Sequence, residues 1–469
     1  MTELNKPIPL EHFHERTRNI PATASINSQN DVHRISNNFP LEVETNPDIK
    51  PLMTINLPKK NKYRTITTFC WAFSAGMTDG VFGSLLPFIE AYYGINYAIV
   101  SLLWLGNALG YILIGFSGHI LDQKLGKFGS IMCAGVSLLS MSVLFLTGTK
   151  FPVMCIATFL GGIGTAINLG QFNVFLPPLG AKYVGYQHGC YGLGATAGPL
   201  FATLMTDHGI RWNFFYFVLL GISIFNLVLI GLTFHDYDHD LKEYSLDSSD
   251  SKAGDDPENK STEPTTHDFK SALKNWKVWL GSVFIFFYQG SEVAMGGWVV
   301  TFIISYRKGA THSAGFISSG FWGGVTLGRF LLTGPLIKFI GSRRSIIGLC
   351  LLIIAFDILT WLVPEKIAAA VFASFAGLFI GPIIPMVITF LARILPRKIR
   401  LCSMTIIMAF GSSGGSALPF LVGMVSQKTG TYVLHPIFLA SYAIMFVAWI
   451  LLPNIDRKGA INTLWQRIW

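Results

Sequence analysis

Twelve apolar runs, each long enough to cross a bilayer, divide the chain, and they restrict its fold more than any other feature. They lie near residues 66–89, 98–118, 129–148, 151–174, 186–206 and 213–234. After a polar gap they resume near 278–304, 314–336, 345–363, 367–393, 401–424 and 435–453. A helix of about 20 residues spans the hydrocarbon of a bilayer. Inside lipid a backbone cannot leave its N–H and C=O groups unpaired, so such runs must be helices. The chain is therefore read as an all-α polytopic membrane protein, held in the lipid bilayer, with twelve transmembrane helices in two six-helix halves.

Charged residues make up 13% of the 469 residues, where a soluble domain carries about 25%. The net charge of +9 taken alone would suit nucleic acid. The basic residues instead sit in short loops between apolar runs, so no nucleic-acid partner is expected. With both ends inside, the short inside loops carry ten Lys and Arg against six outside. That bias favours cytoplasmic termini. The plasma membrane is favoured over an internal one, and a monomer is expected. The six cysteines (Cys70, Cys133, Cys155, Cys190, Cys350, Cys402) fall in or at the ends of apolar runs. They lack metal-ligand spacing and read as small buried hydrophobes, so no metal or cofactor is expected.

Residues 1–64 read as a disordered cytoplasmic N-terminal tail ending in a basic collar of Lys59, Lys60, Lys62 and Arg64. Residues 65–234 and 277–453 read as the two halves. The stretch 235–276 holds eleven acids and reads as a flexible cytoplasmic linker. Its Asn259-Lys260-Ser261 matches a glycosylation sequon, which a cytoplasmic linker would never present to the glycosylation machinery. Residues 454–469 read as a cytoplasmic C-terminal tail, either disordered or a short amphipathic helix on the membrane surface. No charged-then-apolar leader opens the chain, so the first run is expected to act as the insertion signal.

Ionisable groups inside such runs cost about 2.5–3.5 kcal/mol each at a helix centre, which makes them functional candidates. Glu292 sits midway along run seven, within Tyr288-Gln289-Gly290-Ser291-Glu292-Val293-Ala294-Met295-Gly296-Gly297-Trp298. Gln289 precedes it by one turn and shares its face. Asp79 sits midway along run one, within Gly76-Met77-Thr78-Asp79-Gly80-Val81-Phe82-Gly83. Each acid also has a plainer reading. Asp79 would bond a local carbonyl or hydroxyl, and Glu292 would make a helix-packing hydrogen bond. In run four Thr165, Asn168, Gln171 and Phe172 recur on one helix face. Amides beside a ring suit a hydroxylated solute, or else serve as interhelical glue.

Trp298 and Trp322 read as cavity aromatics, with interface anchoring the alternative for Trp298. Arg329 lies deep in run eight and needs an acidic partner, a route to the interface, or an anionic substrate. A structural or gating pair near the cytoplasmic end is expected for it. His188 and Tyr191 share a face of run five and read as a polar packing pair. Asp357 in run nine reads as a packing hydrogen bond or a neutral acid. Glycine-rich stretches lie within spans, not after a soluble strand, so no phosphate cradle is present. No nucleophile–base or metal arrangement stands out, and an enzyme is not expected.

The halves echo each other at a spacing of roughly 210–220 residues, as internal repeats of carriers do. Gly192-Leu193-Gly194-Ala195-Thr196-Ala197-Gly198-Pro199 of run five reappears as Gly411-Ser412-Ser413-Gly414-Gly415-Ser416-Ala417-Leu418-Pro419 of run eleven. After run two comes Gly118-His119-Ile120-Leu121-Asp122-Gln123-Lys124-Leu125-Gly126-Lys127, which resembles the loop motif of the major facilitator superfamily. Gly334 to Arg344 is a weaker copy. With six-plus-six spans and a central linker, the resemblance covers residues 60–455. Within that superfamily the chain is similar to the fucose/glucose–proton symporter branch. The carrying residues are Phe287 to Val300, Gly320 to Arg329, and Leu85-Leu86-Pro87.

The resemblance implies the major facilitator fold, with runs one and seven facing each other across a central cavity. Asp79 and Glu292 would then share that cavity as proton-coupling acids, with Thr165, Asn168, Gln171, Gln289 and Trp298 as substrate contacts. Asp122 would cap or pair across the interface of the halves and bias opening, with Arg329 as the second gating residue. The implied function is secondary active transport of a small polar organic solute, a sugar first, coupled to protons by alternating access. Fucose itself does not carry over. The branch's fucose carriers place acids where this chain has Gly83 and Gly164. Alternatives are a monocarboxylate carrier, since Asp79-Gly80-Val81-Phe82-Gly83 faintly resembles that group's signature, a drug carrier, a uniporter, or a non-transporting membrane sensor on the same fold.

Overall fold

A computed structural model of the chain describes residues 52–244, 266–309, 314–396 and 399–453. Helix α1 runs Asn61–Tyr93. Leu102–Thr147 is one helical tract broken at Gly126, where φ is 72° and ψ 177°. That conformation suits glycine, which has no Cβ to clash. Its two arms are α2 (102–125) and α3 (127–147). Then come α4 (Phe151–Phe175), α5 (Ala181–Asp207) and α6 (Phe215–Phe234).

The second half begins with α7 (Trp276–Ser305). In α8 (315–339) a π-helical turn, Gly328–Leu332, joins Gly315–Leu327 to Thr333–Phe339. There follow α9 (Ser342–Leu362), α10 (366–394, interrupted at Gly381-Pro382), α11 (Arg400–Thr429) and α12 (Leu434–Leu451).

Every expected apolar run is thus a helix. Among the described residues, nine tracts are long and apolar enough to cross a membrane by composition alone. The difference from twelve has local causes. The arms α2 and α3 form one tract, α5 is rich in glycine and polar residues, and α8 is divided by its π-turn.

The near face of the bundle is the one where α1 begins and α12 ends, and the far face lies opposite. Within each half, glycine contacts bring a repeat-bearing helix against the helix that opens the half. A Cβ built on Gly194 of α5 would lie 1.9 Å from the Phe73 carbonyl of α1. One built on Gly414 of α11 would lie 2.0 Å from the Phe286 carbonyl of α7. The sequence echo between runs five and eleven therefore marks equivalent close crossings, where small residues let backbones touch.

The flanks differ from expectation. The helical part of the first half begins at Asn61, inside the expected 1–64 tail, and Met53 is buried against the first half. Arg64, expected in a solvated collar, is fully buried. It pairs with Asp240 at 2.6 Å and donates from Nε to the Thr233 carbonyl at 2.9 Å. The expected flexible linker opens with a short helix, Tyr237–Glu243, pinned to the near face. Asp236 binds Lys60 there, and Asp238 accepts the backbone N–H groups of Lys127 (2.7 Å) and Phe128 (3.0 Å). Two free donors at the start of α3 attract that carboxylate, and a buried guanidinium needs the other. A second short helix, Thr266–Lys274, precedes α7. The remaining tail and linker expectations, on 1–51, 245–265 with its sequon, and 454–469, lie outside the described residues.

Candidate functional site

Asp79 and Glu292 stand at matching depth. At 1.5 Å per residue, Asp79 is about 27 Å from the near end of α1 and Glu292 about 24 Å from that of α7. Their surroundings differ. Asp79 lines a cavity between the halves of about 70 Å³. The Tyr191 hydroxyl of α5 donates to Asp79 Oδ2 at 2.8 Å.

Glu292 is turned away from the cavity toward α8. Its Oε1 meets Arg329 Nη2 at 2.5 Å; Glu292 is buried and the Arg329 side chain is 10% exposed. Arg329 lies in the π-turn, the kind of helical insertion that re-aims a side chain at functional sites. Its Nη2 also faces the Tyr288 hydroxyl at 3.5 Å. Arg329 therefore pairs with the mid-span acid, and not near one end as expected. The pair and Asp79 remain within electrostatic range of each other.

The expected substrate stripe of α4 divides. Thr165 lines the cavity. Gln171 does not: its amide donates to both Asp122 oxygens, at 2.7 and 2.9 Å. Asp122 also binds Lys127. These contacts all fall within the first half, so the expected pairing of Asp122 across the halves is not what this conformer shows. The Asp122 carboxylate, near the end of α2, instead ties α2, α3 and α4 together at the near face. Asn168 is fully buried outside the cavity lining, with neither amide atom hydrogen-bonded in the structure. Gln289 does line the cavity, as its neighbour Val293 does.

Trp298 is not a cavity aromatic. It is 1% exposed, donates from Nε1 to the Pro419 carbonyl at 3.0 Å, and stacks on Trp104 with centroids 5.5 Å apart. Trp322 is also buried, beside Tyr191 and Gly296. Trp104 of α2 does face the cavity, along with the rings of Phe82, Tyr111 and Tyr191.

Around the two tryptophans the halves close against each other toward the far face. The Tyr97 ring packs edge-on against Trp298, with centroids 5.8 Å apart. The Tyr97 N–H donates to Gln427 Oε1 at 3.0 Å, and its hydroxyl shares a 2.9 Å bond with Ser305. Gly83 of α1 abuts the Gly296 carbonyl of α7 so closely that a Cβ there would sit 2.0 Å from that oxygen. The conformer is thus sealed above the cavity on the far side.

Several cavity residues were not singled out from sequence. Asn107 and Tyr111 stand one turn apart on α2, and Ser412 and Ser416 one turn apart on α11. Polar side chains recurring at i, i+4 inside apolar runs were the available signal. His188 makes no hydrogen bond to Tyr191, whose hydroxyl is given to Asp79. Asp357 makes a packing hydrogen bond, 2.8 Å to His435 Nδ1 between α9 and α12, with both residues fully buried.

Comparisons with known proteins agree with this architecture. The sequence profile of the Major Facilitator Superfamily matches residues 68–311, more than half the chain. Bypass of stop codon protein 6 of Saccharomyces cerevisiae is 25% identical over 402 residues, 81% of this chain and 80% of that protein. The glucose/mannose transporter GlcP of Bacillus subtilis is 23% identical over 359 residues, 76% of this chain and 86% of its own. Among solved structures, the fucose:proton symporter FucP of E. coli superposes with a TM-score of 0.56 at 15% identity, covering 83% of this chain and 97% of that one. From the profile match and the twelve-helix, two-half fold with its cavity between the halves, the chain belongs to the major facilitator superfamily and is a multi-pass membrane transporter of a small molecule, not an enzyme.

Proposed function

We propose that the chain is a proton-coupled sugar carrier that works by alternating access. The observation carrying this reading is the composition of the inter-half cavity. One carboxylate, Asp79, shares it with the amides Asn107 and Gln289, the hydroxyls of Thr165 and Ser412, and the ring of Trp104. Amides and a carboxylate chelate neighbouring hydroxyls, and an aromatic face takes the apolar side of a pyranose. Relatives named as glucose/mannose and glucose/galactose transporters support the same substrate class. Fucose is not proposed, because Gly83 and Gly164 replace the acids that fucose carriers of this branch hold.

In this proposal the two mid-span acids divide the work. Glu292 is neutralised by Arg329, and the ion pair couples α7 to α8. Asp79 has a neutral phenol as its hydrogen-bond partner, so gaining or losing a proton there changes the net charge of the cavity. Asp79 is therefore assigned the coupling role and Glu292–Arg329 a positioning one. Thr165 and Gln289 remain substrate contacts. Asn168, Gln171 and Trp298 are reassigned to packing, the near-face network and the far-face seal. The halves 65–234 and 277–453 rock as units, the termini lie in the cytoplasm, and the far face is extracellular, in the plasma membrane. The carrier acts as a monomer.

Counterflow in proteoliposomes tests the substrate class. Purified protein is loaded with one unlabelled solute at a time, drawn from hexoses and monocarboxylates, and uptake of the labelled partner is followed. Hexose counterflow that falls in Gln289→Ala is expected. Monocarboxylate counterflow without any hexose exchange would overturn the reading.

A further inference from the structure

A second opening lies on the far face, beyond the tryptophan seal. Its walls come from the end of α1 and the loop after it (Pro87 to Tyr97), from Thr301 to Ser305 of α7, and from Gln427 of α11. It measures about 750 Å³ and shares no lining residue with the inter-half cavity.

Two polar groups in this vestibule lack partners. Glu90 Oε1 is buried without a hydrogen bond. Thr301 is 2% exposed, and its hydroxyl is also unbonded. A buried acceptor left unmet is costly, which marks the place for a donor-bearing ligand. Two amides complete the set. Gln427 uses its oxygen on the Tyr97 N–H and Asn96 uses its own on the Ile99 N–H. Each therefore keeps an NH₂ group to offer.

The chemistry of these groups selects the ligand. A metal cation would find one carboxylate and otherwise only neutral hydroxyls, since both amide carbonyls are engaged. An anionic solute would find no cationic side chain among the lining residues. A polyhydroxylated solute fits all of them: its hydroxyls donate to Glu90, accept from the two amides and exchange a bond with Thr301. The Tyr97 and Phe88 rings supply an apolar wall.

We infer that this vestibule is a second binding site, on the far face, for a hexose or linear polyol. The inference rests on the sugar reading proposed above for the ligand class. Its site is separate, so the two can fail separately.

The test uses purified full-length protein carrying Ala91→Cys on the exposed vestibule rim, labelled with a fluorescent maleimide against the wild-type background. The probes are glucose, galactose and sorbitol. A bound probe slows labelling by one plus its concentration over Kd, about tenfold at ten times Kd. Adding Glu90→Gln is expected to weaken binding about three- to tenfold, the worth of a hydrogen bond between neutral groups, and so to cut protection sharply at the same concentration. Adding Asp79→Asn should leave protection intact. If no probe protects while labelled hexose still binds in an Asp79-dependent manner, the vestibule site is refuted and the carrier reading stands. If no hexose binds anywhere, both are refuted. Protection by alkylammonium ions in place of polyols, or hexose protection undiminished by Glu90→Gln, also overturns the assignment.

Discussion

The Gly83–Gly296 contact joins the halves only while the far face is sealed, so a methyl group at position 83 acts on one conformer alone. A Cβ on Gly83 would stand 2.0 Å from the Gly296 carbonyl and 2.7 Å from Ser318 Oγ. That carbonyl already accepts the Ser318 hydroxyl at 3.0 Å and cannot rotate away within a helix. The helices α1 and α7 must therefore separate in Gly83→Ala. Overpacking of this kind costs about 1–3 kcal/mol. Applied to the sealed state alone, it moves the conformational equilibrium about 5- to 150-fold toward the state open on the far side.

The assay is a spin-label distance across the far face, between Tyr92→Cys at the end of α1 and Tyr432→Cys between α11 and α12. Both sites are exposed. A longer-distance population should grow in Gly83→Ala. Gly76→Ala is the control. Its Cβ would meet the Tyr191 carbonyl at 1.9 Å, but α1 and α5 belong to the same half. That clash is present in both conformers, so it should lower thermal stability without moving the distance distribution. A wild-type distribution in Gly83→Ala, or an equal shift in Gly76→Ala, would refute the reasoning.

Other outcomes follow from the ion pairs and the seal. Glu292→Gln leaves a buried guanidinium uncompensated and should cost about 3–5 kcal/mol, while Glu292→Gln with Arg329→Met should recover most of the lost thermal stability. Absence of coupling in that double-mutant cycle would remove the pair. Arg64→Ala strands Asp240 and frees the helix Tyr237–Glu243, and faster amide hydrogen exchange over 237–243 should report it. Trp298→Ala opens a space beneath Trp104 and cuts the bond to Pro419. Far-side maleimide access to a cysteine placed at Ser416 should rise, and unchanged access would argue against Trp298 as part of the seal.

The fold was legible because lipid permits so few ways to satisfy a backbone. Runs of suitable length and a six-plus-six spacing settled the helices, and the echo of Gly194 by Gly414 marked equivalent crossings in the two halves. What could not be read was the direction of individual side chains. Glu292 and Gln289 share a helical face by spacing, yet Gln289 meets the cavity and Glu292 turns to α8. The cause is the π-turn at Gly328–Leu332, which brings Arg329 within reach and leaves no period in the sequence to announce it. Gln171 followed the same pattern. Its position on the α4 stripe is regular, but Asp122 arrives from the near end of α2 and claims its amide. Trp298 carried two readings from sequence and met neither. Its partner Trp104 comes from the other half, and such a contact depends on the conformational state. Arg64 looked like one of four solvated charges until Asp240, far along the chain, supplied its counter-ion.

Proton-driven hexose accumulation in proteoliposomes, wild type against Asp79→Asn, tests the central assignment most directly. With an inward proton gradient imposed, the wild-type protein should concentrate labelled hexose above equilibrium, and a protonophore should abolish that. Asp79→Asn should lose accumulation and its dependence on pH while retaining hexose counterflow. Gradient-driven accumulation by Asp79→Asn equal to that of wild type would contradict the account.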